Sequence, residues 1–457
     1  MTTSATLPPA STTREHTRAL LVLGLPLIGS HLAQYAITVT DTLMIGWYDV
    51  TALAALTVAG GIYFVVFIVG SGFAWAVMPM VASAAGTEDD RQVRRVTRMG
   101  LWLSIAFGAA AMPVMVFSEP LLLAMGQEPD VARLGALYLQ VAGLGLIPNI
   151  MIMCLKSYLA ALERTQVVLW VTLASAALNA VLNYALIFGN WGAPEMGIVG
   201  AAIASVTLQI AGLIALLVYA AWATPEYQLF RNFQRPDWEA MGRVFRLGWP
   251  IGLTNLAEVG LFAASSILVG WIGVQQLAAH GIALQITSVT FMLLVGLFQA
   301  VTVRAGRAVG RRDETGLRKG ARCALVLSLS YACATIVVFL TTPRPLIGLF
   351  LSPDDPARLE ILVIGAALLA MAAVFQLVDA VQVLTLGMLR GVQDTTVPMV
   401  MAVISYWGIG LPSSYVFGFV LGWGAVGVWA GLVVGLALAG VWFSLRFWGR
   451  SSRISVA

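Results

Sequence analysis

The sequence predicts an all-α polytopic membrane protein: twelve transmembrane helices in two pseudo-symmetric six-helix lobes. Three observations carry this. Hydrophobic residues fill 59% of the 457 positions and charged residues only 11%, where a soluble chain carries about 25% charged residues. Mean hydropathy is +0.88, and twelve apolar stretches each reach the roughly 20 residues needed to cross a bilayer. The first six stretches also find echoes in the last six.

The spans are expected at 18–47, 50–85, 91–117, 132–162, 165–190, 196–222, 240–272, 275–309, 315–342, 357–391, 395–420 and 424–448. The 45 glycines and 18 prolines suit close helix packing and broken helices, and the 14 tryptophans and 11 tyrosines suit interfacial belts. The polar head, residues 1–17, is too long and too weakly basic for a signal-peptide n-region, and no small-residue cleavage site follows it. It is expected to be retained as a cytoplasmic tail.

Charge placement sets the orientation. Arg14 and Arg18, the cluster Arg91–Arg98, Arg164, Arg231–Arg246, the run Arg304–Arg322, Arg390 and Arg446–Arg453 hold 22 of the 26 Lys and Arg on one side. The other side holds Arg133, Arg344 and Arg358 with Asp49, Glu119, Glu128, Asp130, Glu195, Asp354, Asp355 and Glu360. By the positive-inside rule both termini are cytoplasmic, and the expected location is the inner (plasma) membrane of a bacterium. The net charge of +4 therefore reports orientation and leaflet contact, and nucleic acid is not an expected partner.

The repeat has an offset of 224 residues. Leu23-Gly24-Leu25-Pro26 becomes Leu247-Gly248-Trp249-Pro250, and without a gap Gly46-Trp47 pairs with Gly270-Trp271, Gly72 with Gly296, Gly86 with Gly310, Asp89 with Asp313 and Arg98 with Arg322. Later, Gly197-Ile198-Val199-Gly200 echoes Gly424-Ala425-Val426-Gly427. Six spans per half give both halves one orientation, related by an axis along the membrane normal. The expected domains are 18–222 and 240–448, joined by a polar cytoplasmic linker at 223–239 and followed by a tail at 449–457.

Ionisable residues inside spans are functional candidates, since insertion scales place an acid at a helix centre at about +2.5 to +3.5 kcal/mol. There are four: Asp41, Lys156, Glu258 and Asp379. Asp41 either turns inward or touches headgroup water near its helix end. Lys156 lies about two turns from the cytoplasmic end and either snorkels, the favoured reading, or meets substrate. Glu258 aligns in the repeat with Gln34 rather than with Asp41, so the two lobes are not chemically equivalent. Asn255 shares a face with Glu258, and Gln376 shares one with Asp379. A carboxylate flanked by amides and facing Glu258 either ligates Na⁺ through oxygen, shares a proton, or forms a buried structural pair. Asn179 and Asn183, at i and i+4, form a stripe that either faces Asp41 and Gln34 or glues helices together. Cys154, Cys323 and Cys333 read as small hydrophobes, and His16, His31 and His280 have no metal-ligand spacing. No cofactor is expected. There is no Walker A loop, dinucleotide turn or nucleophile elbow, which disfavours a primary pump and an enzyme.

The stretches AQYAITVTDTLMIG, LNAVLNYALIFGNWGAPEMGIVG, LGWPIGLTNLAEVGLF, LAAHGIALQ, FQLVDAVQVLTLGMLRGVQDT and SYWGIGLP resemble the MATE (multidrug and toxic compound extrusion) transporters, NorM-like branch. The resemblance covers residues 18 to 448. It implies a V-shaped pair of lobes around a central cavity, and export of organic cations in exchange for H⁺ or Na⁺; the working unit is expected to be a monomer. It groups Asp41 with Asn179 and Asn183, and places a second cation site at Glu258 and Asp379. The chain departs from the pattern at Phe375, where relatives often carry Tyr, and in HGIALQ, where HQIALN is more usual. The rival readings are a lipid-linked saccharide flippase, which would want basic cavity residues, and a non-transporting membrane receptor or enzyme.

Overall fold

The structure, a computed structural model, describes residues 12–351 and 356–453. Asp354 and Asp355, counted above among the loop carboxylates, lie outside the described residues, as do positions 1–11 and 454–457 of the tails. Among the described residues twelve helices are long and apolar enough to cross a membrane. They are α1 (Thr13–Tyr48), α2 (Val50–Gly86), α3 (Asp90–Val116), α4 (Pro129–Ala161), α5 (Thr165–Phe188), α6 (Gly197–Ala223), α7 (Trp238–Ile272), α8 (Val274–Gly310), α9 (Glu314–Thr341), α10 (Arg358–Gly391), α11 (Thr396–Val420) and α12 (Gly424–Ser451). Hydrophobic length therefore located every span to within a few residues. No strand occurs among the described residues, as expected where backbone polar groups must be satisfied within one segment.

Local chemistry fixes the ends. Asp49 caps α2 by accepting from the Ala52 N–H at 2.8 Å. Asp89 caps α3 through the Gln92 N–H at 2.9 Å, and Asp313 caps α9 through the Gly316 N–H at 2.7 Å. The last two are partners in the 224-residue repeat, and their backbones agree: φ −91°, ψ 83° at Asp89 and φ −94°, ψ 82° at Asp313. The repeat read from glycines and tryptophans is thus a repeat of conformation. Gly189 ends α5 in the left-handed region at φ +71°.

The chain forms two compact units. The first is Gly29–Gly252; the second joins the chain up to Ile28 to everything from Leu253 onward. This differs from the expected limits of 18–222 and 240–448, because the opening segments of α1 and α7 each count with the opposite half of the sequence. The cause is close backbone packing. In the first unit a Cβ on Gly72 of α2 would stand 2.5 Å from the Gly248 carbonyl oxygen and 2.5 Å from the Gly252 nitrogen of α7. In the second unit a Cβ on Gly296 of α8 would stand 2.7 Å from the Ile28 nitrogen of α1. Gly72 and Gly296 are repeat partners, and so are Gly252 and Ile28. Each changeover falls two residues beyond a proline within the helix, Pro26 in α1 and Pro250 in α7.

The linker is held in place by side chains. Arg98 donates to the carbonyls of Arg231 at 3.0 Å and Arg235 at 2.7 Å, and the Trp102 indole donates to the Phe233 carbonyl at 2.9 Å. Arg95 bridges Asp237 and Glu239. The Arg95 guanidinium hydrogen-bonded to Asp237 holds that carboxyl down at about 2, so the bridge stays charged until the pH falls through that value.

Gly72→Val should cost at least the 1–3 kcal/mol typical of overpacking, since the clash is with backbone. Denaturant unfolding of the purified protein in detergent reads this as a lowered midpoint. A midpoint equal to the parent's would contradict the packing described for α2 and α7.

Candidate functional site

Two groups of intramembrane polar residues stand out, one in each unit. In the first, Asp41 of α1 is half-buried and meets the asparagine stripe of α5. Asn179 Nδ2 donates to Asp41 Oδ1 at 2.8 Å, and Asn183 Nδ2 donates to the same oxygen at 2.6 Å. Both asparagines are fully buried. Their i, i+4 spacing puts both amides on one face, so a single carboxylate oxygen receives two donors. The amide oxygen of Asn183 is buried and accepts nothing. Asp41 and Asn183 therefore contribute oxygen acceptors that two amide donors leave open, a donor set suited to a hard cation. Gln34 is exposed and takes no part in these bonds. It lies seven residues before Asp41, about two helical turns along nearly the same face of α1, and among the described residues bonds to neither asparagine.

A second polar cluster in the same unit escaped the sequence reading. Tyr63 of α2 accepts on its hydroxyl from Asn149 of α4 and from Gln209 of α6, each at 3.2 Å. Gly145 makes room for Gln209: a Cβ there would stand 1.7 Å from its Oε1. Three uncharged polar residues on three separate spans carry no local pattern. Only their polarity within apolar segments could have drawn attention to them.

In the second unit Asp379 and Gln376 of α10 are buried, and Glu258 and Asn255 of α7 are half-buried. Glu258 lies within electrostatic reach of Asp379 and Arg390. Among the described residues no hydrogen bond reaches either carboxylate. Their amide neighbours are engaged elsewhere. The Gln376 carbonyl accepts from the Thr290 hydroxyl at 3.1 Å, the Gln382 amide donates to the Tyr406 hydroxyl at 2.7 Å, and Asn255 Oδ1 accepts from Arg390 Nη2 at 2.7 Å. Position 375 belongs to an aromatic cluster. Phe375 meets Phe262 edge-on at 5.9 Å and Trp429 at 5.7 Å between centroids. His280 is consumed in packing: its Nδ1 accepts from Trp429 at 2.9 Å, which makes Nε2 the donor to Ser266 at 3.0 Å.

Arg390 corrects the sequence reading. It was counted with the cytoplasmic cations because it ends span 10. The structure buries it at 4% exposure, with its guanidinium over the Phe298 ring at 5.1 Å. The positive charge is drawn inward by the acceptor on Asn255 and by nearby Glu258. Lys156, by contrast, is half-buried, and among the described residues no hydrogen bond or ion pair reaches it. Among the described residues no group of three or more His, Cys, Asp and Glu could hold a metal ion together.

Comparisons with known proteins agree with this architecture. A family model described as MatE matches residues 26–185 and 250–416. A protein named probable multidrug resistance protein NorM, from Rhizobium meliloti (strain 1021), is 46% identical over 445 residues, covering 97% of this chain and 95% of that one. A protein of the same name from Agrobacterium fabrum is 44% identical over 434 residues, covering 94% and 93%. The fold superposes with TM-score 0.84 on a multidrug resistance MATE family transporter of the MOP superfamily solved in an outward-facing conformation, at 20% identity and 96% coverage of each chain.

Arg390→Gln should lower stability by about 1.5–3 kcal/mol, the range for a hydrogen bond to a charged group. Asn255→Leu should cost a similar amount, and the double variant clearly less than the sum. Unfolding midpoints of the four proteins close the cycle. Additive losses would show that the Arg390–Asn255 bond couples nothing.

Proposed function

We propose, from the premise that this chain belongs to the MatE family, that it exports organic cations across the bacterial inner membrane in antiport with H⁺ or Na⁺. It is a multidrug efflux transporter and not an enzyme. We place both termini in the cytoplasm, on the arginine distribution, and take the monomer as the working unit.

One observation carries the reading. Glu258 and Asp379 lie near each other inside the second unit, and among the described residues no hydrogen bond stabilises their ionised forms. With only Arg390 near Glu258 to offset two acids, a carboxylate there either takes a proton or recruits a cation, because an uncompensated buried charge is costly. Two of them share that demand, and the second charge is the more costly to form. Asp41 is a different kind of site: two amide donors favour its ionised form and hold it ready for a cation. A lipophilic organic cation answers the same demand as Na⁺ or H⁺, and aromatic side chains add cation–π attraction to its apolar contacts. Export follows when the coupling ion neutralises a carboxylate and the organic cation is displaced. A charge moved through about 100 mV is worth roughly 2.3 kcal/mol. If one coupling ion enters for each monovalent cation expelled, this electrical term cancels and the ion's concentration gradient drives transport.

The test uses a drug-sensitive bacterial host expressing wild type, Asp41→Asn and Glu258→Gln at matched membrane levels. Wild type should lower accumulation of a fluorescent lipophilic cation, and both variants should lose most of that effect. Full export by Asp41→Asn would remove Asp41 from the mechanism. No export by wild type would reopen the flippase reading.

A further inference from the structure

In each half of the chain the fifth and sixth spans are joined by a turn with a left-handed glycine at either end. These are Gly189 and Gly197, at φ +71° and +54°, between α5 and α6, and Gly422 and Gly424, at φ +71° and +61°, between α11 and α12. Glycine takes a positive φ without a steric penalty. One residue, Trp423, separates the pair in the second half, and seven, 190–196, separate it in the first. Closing the turn therefore does not require the six extra residues. They carry an indole, Trp191, and an acid, Glu195.

Trp191 stands at φ 58°, ψ 27°, a left-handed conformation that a bulky residue rarely adopts. Its neighbours Asn190 and Gly192 are the types that adopt it readily. Backbone strain of this kind is kept where the surroundings hold a side chain in a useful place. The indole is 74% exposed and lies against Tyr184 of α5, with centroids 5.2 Å apart at 61°. Tyr184 meets Phe188 at 6.3 Å, and Phe188 meets Tyr48, the last residue of α1, at 6.1 Å. The two turn glycines bring the acid to the Tyr48 end of this row. A Cβ on Gly189 would stand 3.0 Å from the Glu195 Cβ, and one on Gly197 would stand 2.7 Å from the Tyr48 ring. The Glu195 carboxylate interacts with the Tyr48 hydroxyl, and Asp49 adds a second negative charge beside it. Tyr48 lies seven residues beyond Asp41, two turns or roughly 10 Å further along nearly the same face of α1.

Anchoring of helix ends in the interface is the plain explanation of exposed aromatic rings. Trp47 and Trp271, both exposed near the ends of α1 and α7, already do this in both halves. That role asks for neither a strained backbone nor a carboxylate. We propose that Tyr48, Tyr184, Trp191 and Glu195 form a second binding site for lipophilic organic cations, one station beyond Asp41 in the first unit. Ring faces attract a cation and give it apolar contact, while the carboxylate supplies the opposing charge. A small hard ion such as Na⁺ needs several oxygen ligands, which a row of rings does not offer. The inference rests on the export reading above and extends it: a cation leaving Asp41 is held at Tyr48 and Glu195 before release.

The experiment measures saturable binding of radiolabelled tetraphenylphosphonium to the full chain in uncharged detergent. The background carries Asp41→Asn and Asp379→Asn, so that the span acids contribute little. A saturable component should remain. Its Kd should rise about tenfold or more in Glu195→Gln and in Trp191→Leu, and stay near the parent value in Trp191→Phe, which keeps a ring. Should the background fold poorly, the same turn variants in the otherwise unchanged chain should each lose one of at least two saturable components. No saturable binding in the folded background, or equal binding in Glu195→Gln and Trp191→Leu, would overturn the site. Displacement by short-chain phosphatidylcholine at concentrations where unlabelled tetraphenylphosphonium displaces nothing would assign the rings to a lipid headgroup and overturn it as well. Failure of the export reading is separately visible: wild type would then export no cation in cells while this Trp191-dependent binding persisted.

Discussion

The structure turns on the cost of a carboxylate inside a membrane. An acid at the centre of a spanning helix works against insertion by about 2.5–3.5 kcal/mol, and this chain retains three. Each is handled differently. Asp41 is given two asparagine donors from one helix face. Glu258 shares its surroundings with the buried cation Arg390. Asp379 is buried with no hydrogen bond among the described residues, close to a second acid. This gradient, from well solvated by the protein to hardly solvated at all, suits sites that bind and release positive charge.

The helical frame serves those positions through glycines. Gly72 against Gly248 and Gly252, and Gly296 against Ile28, bring helix backbones so close that side chains are excluded. Without a hydrophobic drive between helices in lipid, such contacts decide which helices pair. They also explain why α1 and α7, the helices bearing Asp41 and Glu258, pass from one compact unit to the other just beyond Pro26 and Pro250.

Much of this was legible in the sequence. Hydrophobic length alone placed all twelve helices, because a membrane span must be both long and apolar. The i, i+4 asparagines announced a shared face, and α5 does present it to Asp41. What the sequence hid were partners on different helices and charges near helix ends. Arg390 looks like a topology signal, as any arginine after a span does, until Asn255 and Phe298 are seen around it. Tyr63, Asn149 and Gln209 have no mutual spacing to read. Gln34 suggested itself through its place in the repeat and by residue type; it is exposed, about two turns from the Asp41 cluster.

The central claim is that these intramembrane carboxylates couple ion entry to cation export. Purified protein in liposomes, loaded with a fluorescent lipophilic cation, tests it most directly. Transport is followed under a Na⁺ gradient alone and then a pH gradient alone, for wild type and for Asp379→Asn. The account predicts that at least one gradient drives transport by wild type, and that Asp379→Asn abolishes the coupled component. Failure of both gradients with folded protein, or undiminished coupling in the variant, would contradict it.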